Sequence, residues 1–384
     1  MLDNGKAEGA RKIKQIEKYC LRDIAIVSQG FTFSRSYQGK KNLKWNYFKV
    51  ADIGINPNSK YLTNAINTIS DITMEEIGAL PFPKGSIVFP RVGAALFNNN
   101  KKILAQDGVV DDNVLVLTVT DTSKCWYEFL YYYLQGIPLA KWCNSGLVPV
   151  INTKTVLSQM VFLPPLPEQQ KIAAILSTQD KVIELKEKLL AQKQQQKKYL
   201  MQQLLTGKKR LPGFNGEWQF AKLENVSKYS ASAASFKTYE SHLGCGPYPV
   251  YDATGCFGNI DFYENEQPYI SIVKDGAGAG RVALCKEKSS TIGTLGCIFA
   301  NDIDLLYLFY CMSAVDFQIY SNGSTIPHVY YKDYKNMVLY LPCELEQKAI
   351  VEILSAADHE IDLLQKSIEA EKQKKKALMQ LLLT

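Results

Sequence analysis

Residues 163–206 read LPPLPEQQKIAAILSTQDKVIELKEKLLAQKQQQKKYLMQQLLT, and residues 341–384 read LPCELEQKAIVEILSAADHEIDLLQKSIEAEKQKKKALMQLLLT. The two stretches align without a gap at a constant offset of 178, with about half of the paired positions identical. Glu168-Gln169 matches Glu346-Gln347, Ile175-Leu176-Ser177 matches Ile353-Leu354-Ser355, and Asp180 matches Asp358. Likeness of this extent is an internal duplication, which constrains the architecture before any single element does. Upstream the similarity fades. Asn144, Pro149 and Ile151 still face Asn322, Pro327 and Val329, and Leu21–Ala25 resembles Leu223–Ser227 at an offset of 202. The chain is therefore a doubled unit, a variable segment followed by a near-invariant one.

Prolines at the head of each repeated segment exclude helix, and the Lys, Gln, Glu, Leu and Ala that follow favour it. In the second copy Ile350, Leu354, Ala357, Ile361, Leu364 and Ile368 recur at alternating spacings of four and three, the seam of a coiled coil. The first copy follows with Ile172, Leu176, Gln179, Ile183 and Leu190, but places Lys186 at one seam position. Both seams weaken at Gln194–Lys198 and Glu371–Lys376. A helix of about 38 residues reaches about 57 Å. Its apolar stripe needs a partner: two related helices in one chain supply one another, the alternative being that each packs on its own domain or on another subunit. Antiparallel pairing gives a pseudo-two-fold frame, with a variable domain toward either end.

The variable segments contain short β-branched and aromatic runs between Gly, Pro and Asn turns. Ser86–Phe89, Val114–Val119, Tyr269–Val273 and Met337–Tyr340 read as strands, and Trp126–Leu134 and Asp304–Met312 as short aromatic helices. The fold class is α+β, two mixed, sheet-dominated domains joined by the helix pair. Basic and amide residues in loops are the candidates for nucleic-acid contact, since Arg and Lys suit guanine edges and phosphates and Asn suits adenine. In the first segment these are Arg35, Lys40, Lys41, Lys44, Arg91, Asn98, Asn99, Asn100, Lys101 and Lys102. In the second they are Lys237, His242, Lys274, Arg281, His328, Lys332 and Lys335. The glycine-rich stretch Lys274–Arg281 lacks the spacing of a dinucleotide loop and reads as a turn between strands, which lets backbone approach a ligand closely.

Other classes are disfavoured. The chain of 384 residues has no apolar run long enough to span a membrane and no secretory leader pattern, which points to the cytoplasm. Nine cysteines lack any C-x-x-C spacing, and the three histidines (His242, His328, His359) are not spaced as metal ligands. No P-loop and no aromatic N-P-P-Y motif of an adenine methyltransferase is present. Asp180, Glu184 and Lys186 mimic a nuclease set, but lie at polar helix positions where i, i+4 pairing accounts for them. The net charge of +6 divides into about +11 over residues 1–217 and about −5 over 218–384, so bulk charge alone does not carry DNA binding.

The repeated P-L-P-E-Q-Q-K-I-A-A-I-L-S segment, the linker Leu204–Phe214 and the return of the helix at residues 341–384 resemble the specificity subunits of type I restriction–modification systems. The resemblance covers essentially the whole chain. It implies a first target-recognition domain over 1–162, a conserved helical spacer and linker over 163–217, a second recognition domain over 218–340 and a second spacer over 341–384. Each domain would read one half of a bipartite target in double-stranded DNA, with the helix pair fixing the gap. The chain itself would be non-catalytic and hold no cofactor. Two methylation subunits would bring S-adenosylmethionine and methylate adenine, and restriction subunits would use ATP and Mg. The contrasting readings are a fused methyltransferase or nuclease, and a coiled-coil docking scaffold without DNA specificity.

Overall fold

A computed structural model describes residues 16–55, 59–144, 146, 148–323 and 326–383. They form two compact units, one from residues up to 188 together with 366 onward, the other from 189–365. Each unit is therefore a variable domain, the start of its own long helix and the end of the other long helix.

The first unit contains β1 (Glu17–Cys20), β2 (Ala25–Gln29), β3 (Tyr61–Leu62), β4 (Ile87–Pro90), β5 (Lys102–Leu104), β6 (Val114–Val119), α1 (Tyr127–Gln135), β7 (Met160–Leu163) and the beginning of α2 (Leu166–Leu204). Five strands form one sheet in the order β2-β6-β4-β5-β3, antiparallel except where β5 runs parallel to β3. Residues 114–117 of β6 are all buried because the sheet is covered on both faces. Leu115 and Leu117 join Ile87, Phe89 and the α1 side chains Phe129, Leu130 and Tyr132. Val114 and Val116 pack with Val88, Phe48 and Val110 on the other face, beside a small sheet of Trp45–Phe48, Asn67–Ile69 and Val109–Val110. The short pair β1–β7 brings the domain's end back to its beginning, with Glu17 opposite Leu163, and β7 leads directly into α2.

The second unit repeats this plan with β8 (Gln219–Lys222), β9 (Ser227–Ser230), β10 (Tyr269–Val273), β11 (Val282–Cys285), β12 (Leu295–Ala300), α3 (Leu305–Ser313), β13 (Val338–Leu341) and α4 (Glu344–Leu382). The sheet order β9-β12-β10-β11 matches β2-β6-β4-β5, and β8–β13 matches β1–β7. Ile270, Ile272 and Ile298 pack on Tyr307, Leu308 and Met312 of α3. The strands and aromatic helices expected from the sequence are present in both domains, displaced by a residue or so at their ends, where assignments ordinarily differ.

The Gln of each repeated Glu-Gln pair ties three segments together. The fully buried Gln169 accepts from the Trp126 N–H at 2.8 Å and donates to the carbonyls of Lys124 and Pro164 at 2.7 and 2.8 Å. Gln347 accepts from the Asp304 N–H at 3.0 Å and donates to the Pro342 carbonyl at 3.0 Å. These bonds fix the start of the aromatic helix against the start of the long one, and they satisfy backbone groups that burial would otherwise leave costly.

α2 and α4 each have 39 residues, a length of about 58 Å. They pack antiparallel in both units. In the first, Lys186 pairs with Glu371 at 2.8 Å and Lys372 with Glu187 at 2.8 Å. In the second, Lys193 pairs with Glu360 at 2.7 Å. The seam residues divide into two sets, however. Ile172 and Leu176 belong to the core of the first domain, where Leu378, Met379 and Leu382 join them. Ile350 and Leu354 belong to the second core, with Leu200, Met201 and Leu204. Ile183 and Ile368 are buried farther along the pair, while Leu190, Ala357, Ile361 and Leu364 are half-buried. The off-pattern Lys186 is accommodated because its ammonium also donates to Ser367 Oγ at 2.7 Å. Its charge, with a bond from Gln179, holds the Glu371 carboxyl down at about 2.

Candidate nucleic-acid interface

In each domain the chain leaving the central strand is held by the same three backbone bonds. After β4, Arg91 donates to the Asn113 carbonyl at 2.8 Å, Ile151 donates to the Arg91 carbonyl at 2.9 Å, and Gly93 donates to the Pro149 carbonyl at 3.0 Å. After β10, Lys274 donates to the Thr294 carbonyl at 2.9 Å, Val329 to the Lys274 carbonyl at 2.8 Å, and Gly276 to the Pro327 carbonyl at 3.0 Å. Gly93 and Gly276 stand at φ of 80° and 91°, which explains glycine at this point of both loops. The faint repeat of Pro149 and Ile151 in Pro327 and Val329 thereby gains a physical cause. These residues run along the strand exit and shape a two-loop edge on each domain.

Each edge presents one basic residue at the same place, Arg91 or Lys274, both half-exposed. Arg91 Nε is buried without a hydrogen-bond partner among the described residues. On the chain segments joined by these bonds, Phe97, Asn98 and Val148 are exposed. The second edge is chemically different. His328 Nδ1 lies 2.7 Å from Asp275 Oδ1, the Tyr330 ring stacks on the imidazole with centroids 5.8 Å apart, and Lys332 Nζ sits 5.6 Å from the Tyr330 centroid. Ile326 and Arg281 are exposed nearby in sequence. The glycine-rich stretch is the turn between β10 and β11, as its sequence suggested. Equivalent backbone with unlike side chains suits two readers of unlike sequence.

The remaining candidates separate by burial. Arg35, Lys40, Lys41, Lys44, Lys237 and Lys332 are exposed. Lys44 is bound to Asp71 at 2.8 Å, and His242 lies 2.9 Å from Asp261. Lys101 and Lys102 are each only 2% exposed, so they do not present a charge to a ligand. The Lys101 ammonium donates to Asn99 Oδ1 at 2.6 Å and to the Ile137 carbonyl at 2.9 Å, and burial pushes it down to about 7. Lys102 donates to the Ser59 carbonyl, and burial brings it down to about 8. Asn99 is likewise occupied, accepting also from the Leu139 N–H at 2.9 Å. Sequence alone could not separate these residues from Asn98, because their alternation follows the fold of a loop.

A family model described as the type I restriction modification DNA specificity domain matches residues 13–194 and again 215–372. The chain belongs to that family. The MjaX type I restriction enzyme specificity subunit of Methanocaldococcus jannaschii is 25% identical over 399 residues, covering 95% of this chain and 92% of that protein. The MjaVIII specificity subunit of the same organism is 37% identical over 131 residues, 33% of this chain and 30% of its own length. In fold, the chain is similar to the crystal structure of the S subunit of a type I system from M. genitalium, with a TM-score of 0.65 at 14% identity over 98% of each chain. A second similar structure, from a study of assembly and conformational transition in the type I system, has a TM-score of 0.57 at 15% identity over 96% of each chain.

Within this specificity fold, the helix charges pair across the two long helices. Asp180 and Lys186 are not merely i, i+4 partners of their own helix. Asp180 Oδ1 lies 2.5 Å from Lys375 Nζ, and Lys186 bonds Glu371, both on α4. Only Glu184 pairs as expected, with Lys181 and Lys188. The repeat already carried the signal, since Lys375 stands 178 residues after Lys197. None of the described residues forms a His, Cys, Asp or Glu cluster fit for a metal, and all nine cysteines are free. No helix among them is long and apolar enough to cross a membrane.

Proposed function

We propose that this chain is the DNA specificity subunit of a type I restriction–modification complex, each domain reading one half of a bipartite target through its strand-exit edge. The observation that carries this reading is the pair of edges. Three backbone bonds recur in both domains, yet Arg91, Val92 and Val150 on one correspond to Lys274, Asp275 and His328 on the other. Duplicated backbone with diverged side chains is what two unlike half-sites require. The antiparallel helix pair serves as the spacer that sets the unread interval, in the way that a dimer's geometry sets half-site separation.

The chain reads and the partners react. Two methylation subunits, holding S-adenosylmethionine, would methylate adenine at the bound target, and restriction subunits would supply ATP- and Mg-dependent cleavage. The complex would act on cytoplasmic DNA. The acidic balance of the second half implies weak, salt-sensitive binding by the chain alone and tight binding with its methylation partners. Methylome sequencing of a host with and without the gene tests the reading. A split motif carrying methyladenine should vanish on deletion, and an unchanged methylome would overturn it.

A further inference from the structure

A three-residue clamp occurs once in each unit, and repeat offset carries every member of one onto a member of the other. In the first unit the Tyr132 hydroxyl of α1 donates to Asp180 Oδ2 at 2.7 Å, while Lys375 Nζ lies 2.5 Å from Asp180 Oδ1 and 5.8 Å from the Tyr132 ring centroid. In the second the Tyr310 hydroxyl of α3 donates to Asp358 Oδ2 at 2.8 Å, while Lys197 Nζ lies 2.5 Å from Asp358 Oδ1 and 5.4 Å from the Tyr310 centroid. Both tyrosines are buried. One Asp oxygen takes the domain's tyrosine and the other takes the lysine of the opposite long helix. Each clamp thus joins three bodies, a recognition domain and both helices.

The apolar seam cannot fix the register of the helices by itself. Around the clamps it is interrupted by Gln179, Lys186 and Glu371, and a heptad pattern tolerates displacement by a whole heptad. Such a slip moves one helix by about 10.5 Å along the other, about three base pairs at 3.4 Å each. Both clamps require the same antiparallel register, and a slip breaks both. Polar groups set into an otherwise degenerate seam specify register in this way.

Resting on the specificity reading above, we infer that the Tyr132–Asp180–Lys375 and Tyr310–Asp358–Lys197 clamps are positioning elements that set the helix register, and with it the number of base pairs between the two half-sites. The test uses the complex of this chain with its methylation partners and duplexes whose gap is the natural one or is changed by one to three base pairs. Asp180→Asn combined with Asp358→Asn should keep both half-site sequences while reducing discrimination against wrong gaps about tenfold, the effect of about 1.4 kcal/mol. Tyr132→Phe with Tyr310→Phe, which removes only two hydroxyls, should reduce it in the same direction, and Asp180→Lys with Lys375→Asp should recover part of the loss caused by Asp180→Lys alone. Zero-length carbodiimide cross-linking reads the register without DNA. The unaltered chain should join Lys193 to Glu360 and Lys372 to Glu187, and the clamp variants should add products displaced by a heptad. Unchanged gap discrimination and unchanged cross-links in the variants, even with a lowered melting temperature, would show the clamps to be stabilising contacts only and would overturn the inference. Absence of a bipartite target for the unaltered complex would sink the specificity reading instead, leaving the cross-links to decide the register.

Discussion

Gln169→Ala should destabilise the first unit far more than a surface glutamine would. The side chain is fully buried and serves one backbone N–H and two carbonyls, those of Trp126, Lys124 and Pro164. Truncation leaves the Trp126 N–H without its acceptor, and each buried backbone group so orphaned costs about 1–3 kcal/mol. A carbonyl tolerates under-satisfaction better than an N–H does, so the sum is about 3–6 kcal/mol rather than the full threefold figure. That is a large part of the ~5–15 kcal/mol that holds a typical domain. Urea unfolding followed by tryptophan fluorescence reads it directly, since Trp126 and Trp142 pack in this core. With a slope of about 2 kcal/mol per molar urea, the midpoint should fall by about 1.5–3 M. Gln170→Ala, at the exposed neighbour, should shift stability by less than about 0.5 kcal/mol. A loss below about 1 kcal/mol for Gln169→Ala would refute the claim that this residue, rather than the helix start itself, ties the domain to its long helix.

The helix pair should lose stability in acid. Glu371 sits well below the ordinary carboxylate value because of Lys186 first and Gln179 second, so its contribution is present above the unfolded value of about 4.5 and is lost as pH falls toward about 2. Circular dichroism melts across that window should show this loss, and Glu371→Gln should flatten it; an identical pH profile in the variant would count against the pair. Exposed lysines of the first domain should act on DNA through phosphate alone. Lys40→Ala with Lys41→Ala should weaken binding equally for all sequences and reduce the log–log salt slope by at most about 2. A change in sequence preference would instead make them base readers.

The frame of this molecule was legible because the duplication is gapless where the frame is made. Leu176 and Leu354, Gln169 and Gln347, and Asp180 and Asp358 do the same job twice, and each pair survives at one offset. The seam was legible as a period but not as a location. Periodicity marks Ile172 and Ile350 as apolar-facing, and only tertiary packing decides that they face a domain core joined by the end of the partner helix. The candidate interface was the least legible. Lys101 and Asn98 are three residues apart in one basic, amide-rich loop, yet one is buried on a carbonyl and the other is exposed. No local pattern distinguishes them. The fading repeat does carry a signal for the edges, since its surviving Pro149 and Pro327 mark the backbone that shapes both.

On the proposed function, two equivalent edges read two different half-sites. Methylome sequencing of hosts carrying Arg91→Ala or Lys274→Ala in the chain addresses it most directly. Arg91→Ala should relax or abolish preference in one half of the split motif while the other half stays intact, and Lys274→Ala should do the same to the opposite half. If either substitution altered both halves together, or if neither altered the motif, the assignment of one reading edge to each domain would be contradicted.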